Sequence, residues 1–331
     1  GYAIDTFTYL GSHTMDCGGS GTCDMADVTA PDWTPTGVSG IAITDSSPTS
    51  VSLAWNTAAD PENDTEALTY DLYRSTGTPV DTGAATLVLN GSTSTSYTDN
   101  TVVSGETYYY LVVVSNCVPL ERTAADEGSV TVPTVPVLTI YDVQNTSTVG
   151  TECYDSPYLG QQVTLSGIVS AAGTGRYVIE EATGGWHGVL IYDAVHTPTV
   201  GDSVTVTGTV DEYYGLTEII SVTGYTLHSG GNTVDAASTV TVEGIGGSLP
   251  GVTCGLTPEA YEGVLVTLYD VEVSSPTDGY GYWRIKDQSG TLELDCDDTF
   301  YAASMTAGTK LDQITGVILY GYDRYRLNPR N

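Results

Sequence analysis

The sequence predicts an all-β chain, and three observations carry that prediction. Its 331 residues include 38 Gly and are rich in Val, Thr and Ser, without the Ala/Leu/Glu/Lys periodicity of helices. From residue 33 onward, short alternating apolar runs are separated by turn residues at the spacing of a β-sandwich. The second half then repeats itself, in two five-strand series of roughly 70 residues each, a length that suits a small closed barrel. At about 100–150 residues per domain, the length allows two or three domains.

Residues 1–32 are too few to bury a core and read as an N-terminal extension. Tyr2, Ile4, Phe7, Tyr9 and Leu10 make a β-prone segment, followed by C-G-G-S-G-T-C and D-M-A-D-V-T-A-P-D. Two anchorages are open. The segment docks on its own body, or it adds as a donor strand to the sheet edge of a neighbouring copy.

Residues 33–135 read as seven short strands. Val38, Ile41 and Ile43 start the first; Val51, Leu53 and Trp55 alternate on the second; Tyr70 and Leu72 mark the third. Thr86–Leu89 and Ser96–Thr98 are brief, Gly105–Val114 is long, and Ser129–Val132 closes the set. The long strand, G-E-T-Y-Y-Y-L-V-V-V, is apolar on both faces. It is covered on both sides, or it leaves an apolar row for a partner, or its outward tyrosines wet their hydroxyls in solvent. No helical pattern lies nearby to cover it, which favours the partner. S-V-S-L-A-W, L-T-Y-D-L-Y-R, S-Y-T-D and G-E-T-Y-Y-Y-L-V-V-V together resemble a fibronectin type III domain. The resemblance implies a core tryptophan at Trp55, a corner tyrosine at Tyr108, and a non-catalytic spacer or binding module. It also turns Tyr73, Tyr109 and Leu111 outward from one sheet.

V-P-T-V-P-V, residues 132–137, is a Pro-spaced connector expected to be semi-rigid, which favours a rod over a flexible tether. Residues 136–240 hold the first copy of the repeat: L-G-Q-Q-V-T-L-S-G-I-V, R-Y-V-I-E-E, G-V-L-I-Y-D, V-G-D-S-V-T-V-T-G-T-V and Y-Y-G-L-T-E-I. Residues 241–331 hold the second: E-G-V-L-V-T-L-Y-D-V, Y-W-R-I-K-D, G-T-L-E-L-D and A-G-T-K-L-D-Q-I-T-G-V-I. The pattern, with its closing R-L-N-P-R, resembles the OB-like β-domains of bacterial extracellular nucleases and anchored surface proteins.

Lys and Arg number 9 against 41 Asp and Glu, a formal charge of −32. Nucleic-acid binding needs cations to neutralise phosphates, so that class is excluded. Self-association needs buried apolar contacts or bound cations to overcome repulsion. Tyr is 24 and Phe only 2, so aromatic burial falls to rings with a polar handle, which suit interfaces. No apolar run reaches the roughly 20 residues of a membrane span. A chain that starts at Gly1 with six Cys and two Lys is expected to be a processed, secreted one. Six cysteines allow 15 pairings. Cys17 with Cys23, Cys117 with Cys153, and Cys254 with Cys296 are the expected ones, and no C-x-x-C pair suggests zinc or redox chemistry.

Chemistry is thin. His13, His187, His196 and His228 share no motif, G-x-S-x-G is missing, and G-G-W-H-G lacks the Lys-Ser/Thr of a phosphate loop. No stretch is long enough for a nuclease catalytic domain, so no enzyme is expected. Hard oxygen ligands make Ca2+ the expected ion, at Asp60, Glu62 and Asp64 or at Asp295, Asp297 and Asp298. Exposed tyrosines and Trp186 or Trp283 are candidates for stacking on sugar rings. Asn63, Asn90 and Asn145 lie in N-x-S/T sequons, relevant only in a host that glycosylates them.

Six of the nine basic residues, Arg324, Arg326 and Arg330 among them, lie in the last barrel. A relatively basic end on an acidic chain favours head-to-tail docking, and contacts that do not close a ring propagate. The leading expectation is therefore a non-catalytic subunit that assembles into an extracellular filament. Its interface residues would be Tyr2, Ile4, Phe7, Tyr9, Tyr73, Tyr109, Leu111 and the three arginines. The alternative is a carbohydrate-binding or adhesin module of a secreted or cell-surface protein. A third is an accessory fragment of a secreted nuclease.

Overall fold

The computed structural model describes residues 15–16, 22–23, 38, 40–59, 68–115, 122–124, 127–151, 153–246, 254–288, 290–321 and 323–330. It is almost entirely β. The chain divides into two compact units, Gly1–Thr134 and Val135–Asn331. The extension contributes an antiparallel ladder of β1 (Met15–Asp16) and β2 (Thr22–Cys23). Tyr2, Ile4, Phe7, Tyr9, Cys17 and Cys117 lie outside the described residues.

In the first unit the alternating runs become β3 (Ala42–Ser47), β4 (Ser50–Ala54), β5 (Thr69–Ser75), β6 (Thr86–Ser92) and β7 (Ser96–Asp99). β8 (Thr107–Ser115) follows, with β9 (Arg122–Ala124) and β10 (Gly128–Thr131) both antiparallel to it. One sheet runs β3-β4-β7, the other β10-β8-β5-β6, and β9 pairs with β8. This is the fibronectin type III-like sandwich. Its core buries Val51, Leu53 and Trp55 against Tyr70, Leu72, Tyr110 and Val112. Each fully buried side chain of that size contributes about 1.5–3 kcal/mol. Trp55 meets Tyr70 edge-on at 5.9 Å. The Tyr108 hydroxyl accepts from Val103 N at 3.2 Å, the back-bond of a tyrosine corner.

β8 is apolar on both faces because its own unit covers both. Tyr108, Tyr110, Val112 and Val114 face the sandwich core. On the other face Leu111 and Val113 pack with Tyr73, Val80 and Ala85, leaving Leu111 6% and Tyr73 8% exposed. The apolar row expected to await a partner is thus closed from within, and Tyr73 and Leu111 are core residues. The cover is the segment entering β6, pinned by Glu127, whose carboxylate accepts from Val80 N and from Thr78 Oγ1. β6 ends its sheet, and two register shifts against β5 break its edge, one beside Gly91 at φ +57°. Bulges of this kind blunt an edge against strand addition.

The second unit opens with α1 (Ile140–Gln144), closed by a Thr139/Asp142 capping box. β11 (Gln162–Gly173), β12 (Arg176–Glu180), β13 (Gly188–Tyr192), β14 (Ser203–Tyr213) and β15 (Leu216–Ser229) close a barrel in the order β11-β12-β13-β15-β14. After β16 (Ser238–Thr239) and α2 (Leu256–Glu259) come β17 (Leu265–Ser275), β18 (Trp283–Asp287), β19 (Leu294–Cys296), β20 (Lys310–Tyr320) and β21 (Tyr325–Pro329). They repeat the arrangement, because β17 pairs with both β18 and β20 and β19 pairs parallel with β21. The third-to-fifth pair is parallel in the first barrel as well, β13 with β15. Even the bulges correspond, after Val169 in β11 and after Val273 in β17.

These barrels are not separate beads. β16 lies before residue 241 yet pairs with β17, so the second barrel starts earlier than expected. One apolar cluster joins Val178, Leu190 and Leu216 of the first barrel to Leu268, Trp283 and Val317 of the second. Polar ties run both ways: Leu265 N donates to Glu180 at 2.7 Å, and Thr217 N donates to Glu262 at 2.8 Å. Gly188 and Gly263 bring the two backbones so close that a Cβ on Gly188 would meet the Gly263 oxygen at 2.0 Å. Cys153 pairs with Cys254 across this junction, and Cys296 is a buried free thiol. The expected Cys117–Cys153 and Cys254–Cys296 pairings are therefore replaced, because Cys296 points into its own barrel core.

Candidate functional site

A cleft of about 1180 Å³ lies within the second unit, walled by both barrels. The first barrel supplies Arg176 from β12, Tyr192 from β13, and Asp211, Tyr213, Tyr214 and Glu218 from the β14–β15 hairpin. The second supplies Tyr282, Asp297, Tyr320, Asp323 and Arg326. In an OB-like barrel the middle strands and the loop between the last two form the usual ligand face, and this cleft sits on it.

Tyrosines are its most exposed feature. Tyr192 is 51% exposed, Tyr213 59% and Tyr214 65%, and the last two meet edge-on at 4.9 Å. Exposed aromatic surface gathered in one cleft, rather than scattered singly, marks an interaction or ligand-binding site. Two other contacts hold guanidinium groups over ring faces, Arg176 over Tyr192 at 5.7 Å and Arg326 over Tyr282 at 4.8 Å. Tyr214, Ser221 and Asp323, all lining the cleft, have left-handed φ of 52°, 49° and 63°. Non-glycine residues held there are uncommon, and they gather at ligand clamps.

Glu218 lies in the cleft wall, almost wholly buried, and opposite Asp211 on the neighbouring strand. Burial pushes its carboxyl up to about 7, Asp211 adds to the rise, and Arg176 opposes it. Deeper in the barrel junction, burial also raises Glu180, Glu212 and Glu259 to about 7, and Glu262 well above the glutamate range.

Of the residues singled out from sequence, only Asp297 and Arg326 line this cleft. Asp60, Glu62 and Asp64 lie outside the described residues. Asp295, Asp297 and Asp298 do not converge. Asp295 accepts from Arg284 Nε at 2.7 Å and from Arg324 Nη1 at 2.8 Å, so both its oxygens are committed. Burial alone would raise its carboxyl, yet the two guanidinium bonds hold it below the usual range. Asp297 approaches Arg326 at 3.4 Å, and Asp298 packs against Gly281. Among the described residues, no group of three or more His, Cys, Asp or Glu could hold a metal ion.

Arg330 donates to the Ser170 carbonyl at 3.1 Å. Arg324, Arg326 and Arg330 thus all have partners inside their own unit. Trp283 is 1% exposed in the barrel core and offers no sugar platform, while Trp186 N donates to Ala260 O at the junction. His187 pairs with Glu181, His196 with Asp193, and His228 with Thr205, three separate contacts. Sequence does not say which exposed tyrosines share a site, because those of the cleft are scattered between residues 192 and 320. The available signal was the Tyr excess together with Y-Y-G at the hairpin tip.

No family model matches this chain, and no curated protein matches it. Solved structures similar to it include a fibronectin type III domain of human fibronectin type III domain containing protein 3, at 15% identity and TM-score 0.26, covering 32% of this chain and 93% of that one. An Fn3-like protein from Clostridium thermocellum is 30% identical, with TM-score 0.25, over 31% of this chain and 98% of its own. The fibronectin type III domain of human KIAA0970 protein is 17% identical, with TM-score 0.27, over 35% of this chain and 86% of its own. The sandwich assignment itself rests on the strand order and the tyrosine corner. Among the described residues no helix is long and apolar enough to cross a membrane.

Proposed function

We propose that this chain is a non-catalytic glycan-binding module of a secreted or cell-surface protein, and that the inter-barrel cleft is its binding site. One observation carries the reading: three strongly exposed tyrosines share a large cleft with several acids and two guanidinium groups. Sugar rings present C–H faces that stack on aromatic rings, and hydroxyls that pair with carboxylates, amides and guanidinium groups. At about 1180 Å³ the cleft exceeds the roughly 300–1,000 Å³ of single small-ligand sites, so an oligomer suits it better than a monosaccharide. The disulfide supports an extracellular setting. Calorimetry against a panel of soluble oligosaccharides tests the reading. Binding should appear, and Tyr213→Ala or Tyr214→Ala should weaken it about tenfold, within the range of aromatic stacking contacts. A panel with no binder refutes it.

Self-assembly is the second reading. It is supported by Leu87, 43% exposed on β6 and opposite Tyr73, and by Tyr109, only partly buried against the outer cluster of the sandwich. Its further support, residues 1–32, lies almost wholly outside the described residues. Electron microscopy of concentrated protein, before and after deletion of residues 1–32, tests it. Monodisperse particles throughout would remove the filament reading.

A further inference from the structure

Resting on the glycan reading, we infer that the cleft selects amine-bearing glycans, oligomers of the glucosamine type, over neutral and acidic ones. The first ground is its charge. Asp211 and Asp323 line it, against Arg176, while Asp297 and Arg326 offset one another at 3.4 Å and Glu218 lies buried in the wall. The second is what its rings already hold. Tyr192 and Tyr282 each carry a guanidinium over the face, so tyrosines of this cleft act as cation receptors, whereas the rings of Tyr213 and Tyr214 stay largely open to solvent. A ligand ammonium placed at the hairpin tip would meet both an aromatic face and the neighbouring carboxylates.

The third ground is the field of the whole chain. At −32 it draws cationic polymers and repels uronates and sulfated chains. The same field argues against a second copy as occupant. Residues 1–32, read from sequence as a donor strand, carry five Asp and no Lys or Arg.

The test is calorimetry of the full chain at pH 6 with hexamers of glucosamine, N-acetylglucosamine and galacturonic acid, at low and at 1 M salt. The glucosamine hexamer should bind at least tenfold more tightly than the acetylated one, and the uronate should not bind. At 1 M salt, where the screening length is about 3 Å, the gap should shrink to a few-fold. Asp323→Asn and Asp211→Asn should each narrow it, with circular dichroism confirming that both variants fold. Equal affinity for the free and acetylated amines overturns the charge preference but keeps the glycan reading. Failure of all three hexamers overturns the inference, and the glycan reading falls with it only if the wider oligosaccharide panel also yields no binder. A lysine hexamer that binds more tightly than the glucosamine one would also overturn the inference, in favour of a cationic peptide.

Discussion

Asp99 shows how one residue organises the sandwich. It is fully buried and accepts from Arg74 at 2.7 Å and from Tyr110 Oη at 3.0 Å, while Thr101 bonds its other oxygen. Burial should raise its carboxyl, but these bonds outweigh it and hold the group below the usual range. Arg74 also lies over the Tyr108 ring at 4.8 Å, so the ion pair braces the tyrosine corner. Removing one partner strands a buried charge, which costs about 3–5 kcal/mol. Arg74→Ala is expected to lose that much in denaturant unfolding of the sandwich. The double variant Arg74→Met with Asp99→Asn should lose less than the sum of its parts. A single-variant loss below about 1 kcal/mol would show that the pair is solvated after all.

At the scale of elements, the decisive feature is the meeting of β13 with the turn before β17. Gly188 and Gly263 leave no room for a side chain, since each would-be Cβ falls on the other's backbone. Glycine at 263 is doubly required, because its φ is +71°. Gly188→Ala is expected to destabilise the second unit by about 1–3 kcal/mol, the cost of overpacking where backbone must move. Gly279→Ala, with open space around it, should change stability by less than about 0.5 kcal/mol. Thermal melting of both variants checks the contrast, and similar melting points would mean that the barrels slide apart easily. The cleft depends on the same contact, since its two walls belong to the two barrels.

At the scale of the whole molecule, the buried glutamates of the second unit set its response to pH. Glu180, Glu212, Glu218 and Glu259 are raised to about 7, mainly by burial, and Glu262 further, with Glu259 and Glu212 adding repulsion. In the unfolded chain they titrate near 4.3. Between those values the folded state holds protons that the unfolded state has released, so stability falls as pH rises. The contribution is complete below about pH 4.3 and is lost as pH rises through 7. Asp193 and Asp295, held below their usual range, act oppositely and fail only in stronger acid. Scanning calorimetry from pH 4.5 to 8 should show the transition of the second unit falling in temperature. Glu262→Gln should flatten that slope, and a transition that rises with pH would contradict the burial of these acids.

Much of the architecture was legible in the residues. Alternation and turn spacing are local, so strands, sandwich and barrel repeat could be read from them, together with Trp55 and Tyr108. The closing parallel pairs and matched bulges of the two barrels follow from the repeat, since similar strand series close in similar ways. What the sequence did not disclose was contact between distant segments. A lone Val80 in a polar loop covers β8, Cys153 reaches Cys254 across 101 residues, and tyrosines far apart in sequence share one cleft. Periodicity records which face of a strand is apolar, and composition records how much charge the chain carries. Which surface covers that face, and which charges neutralise one another, is fixed only when remote segments pack, because burial and pairing are properties of neighbours in space.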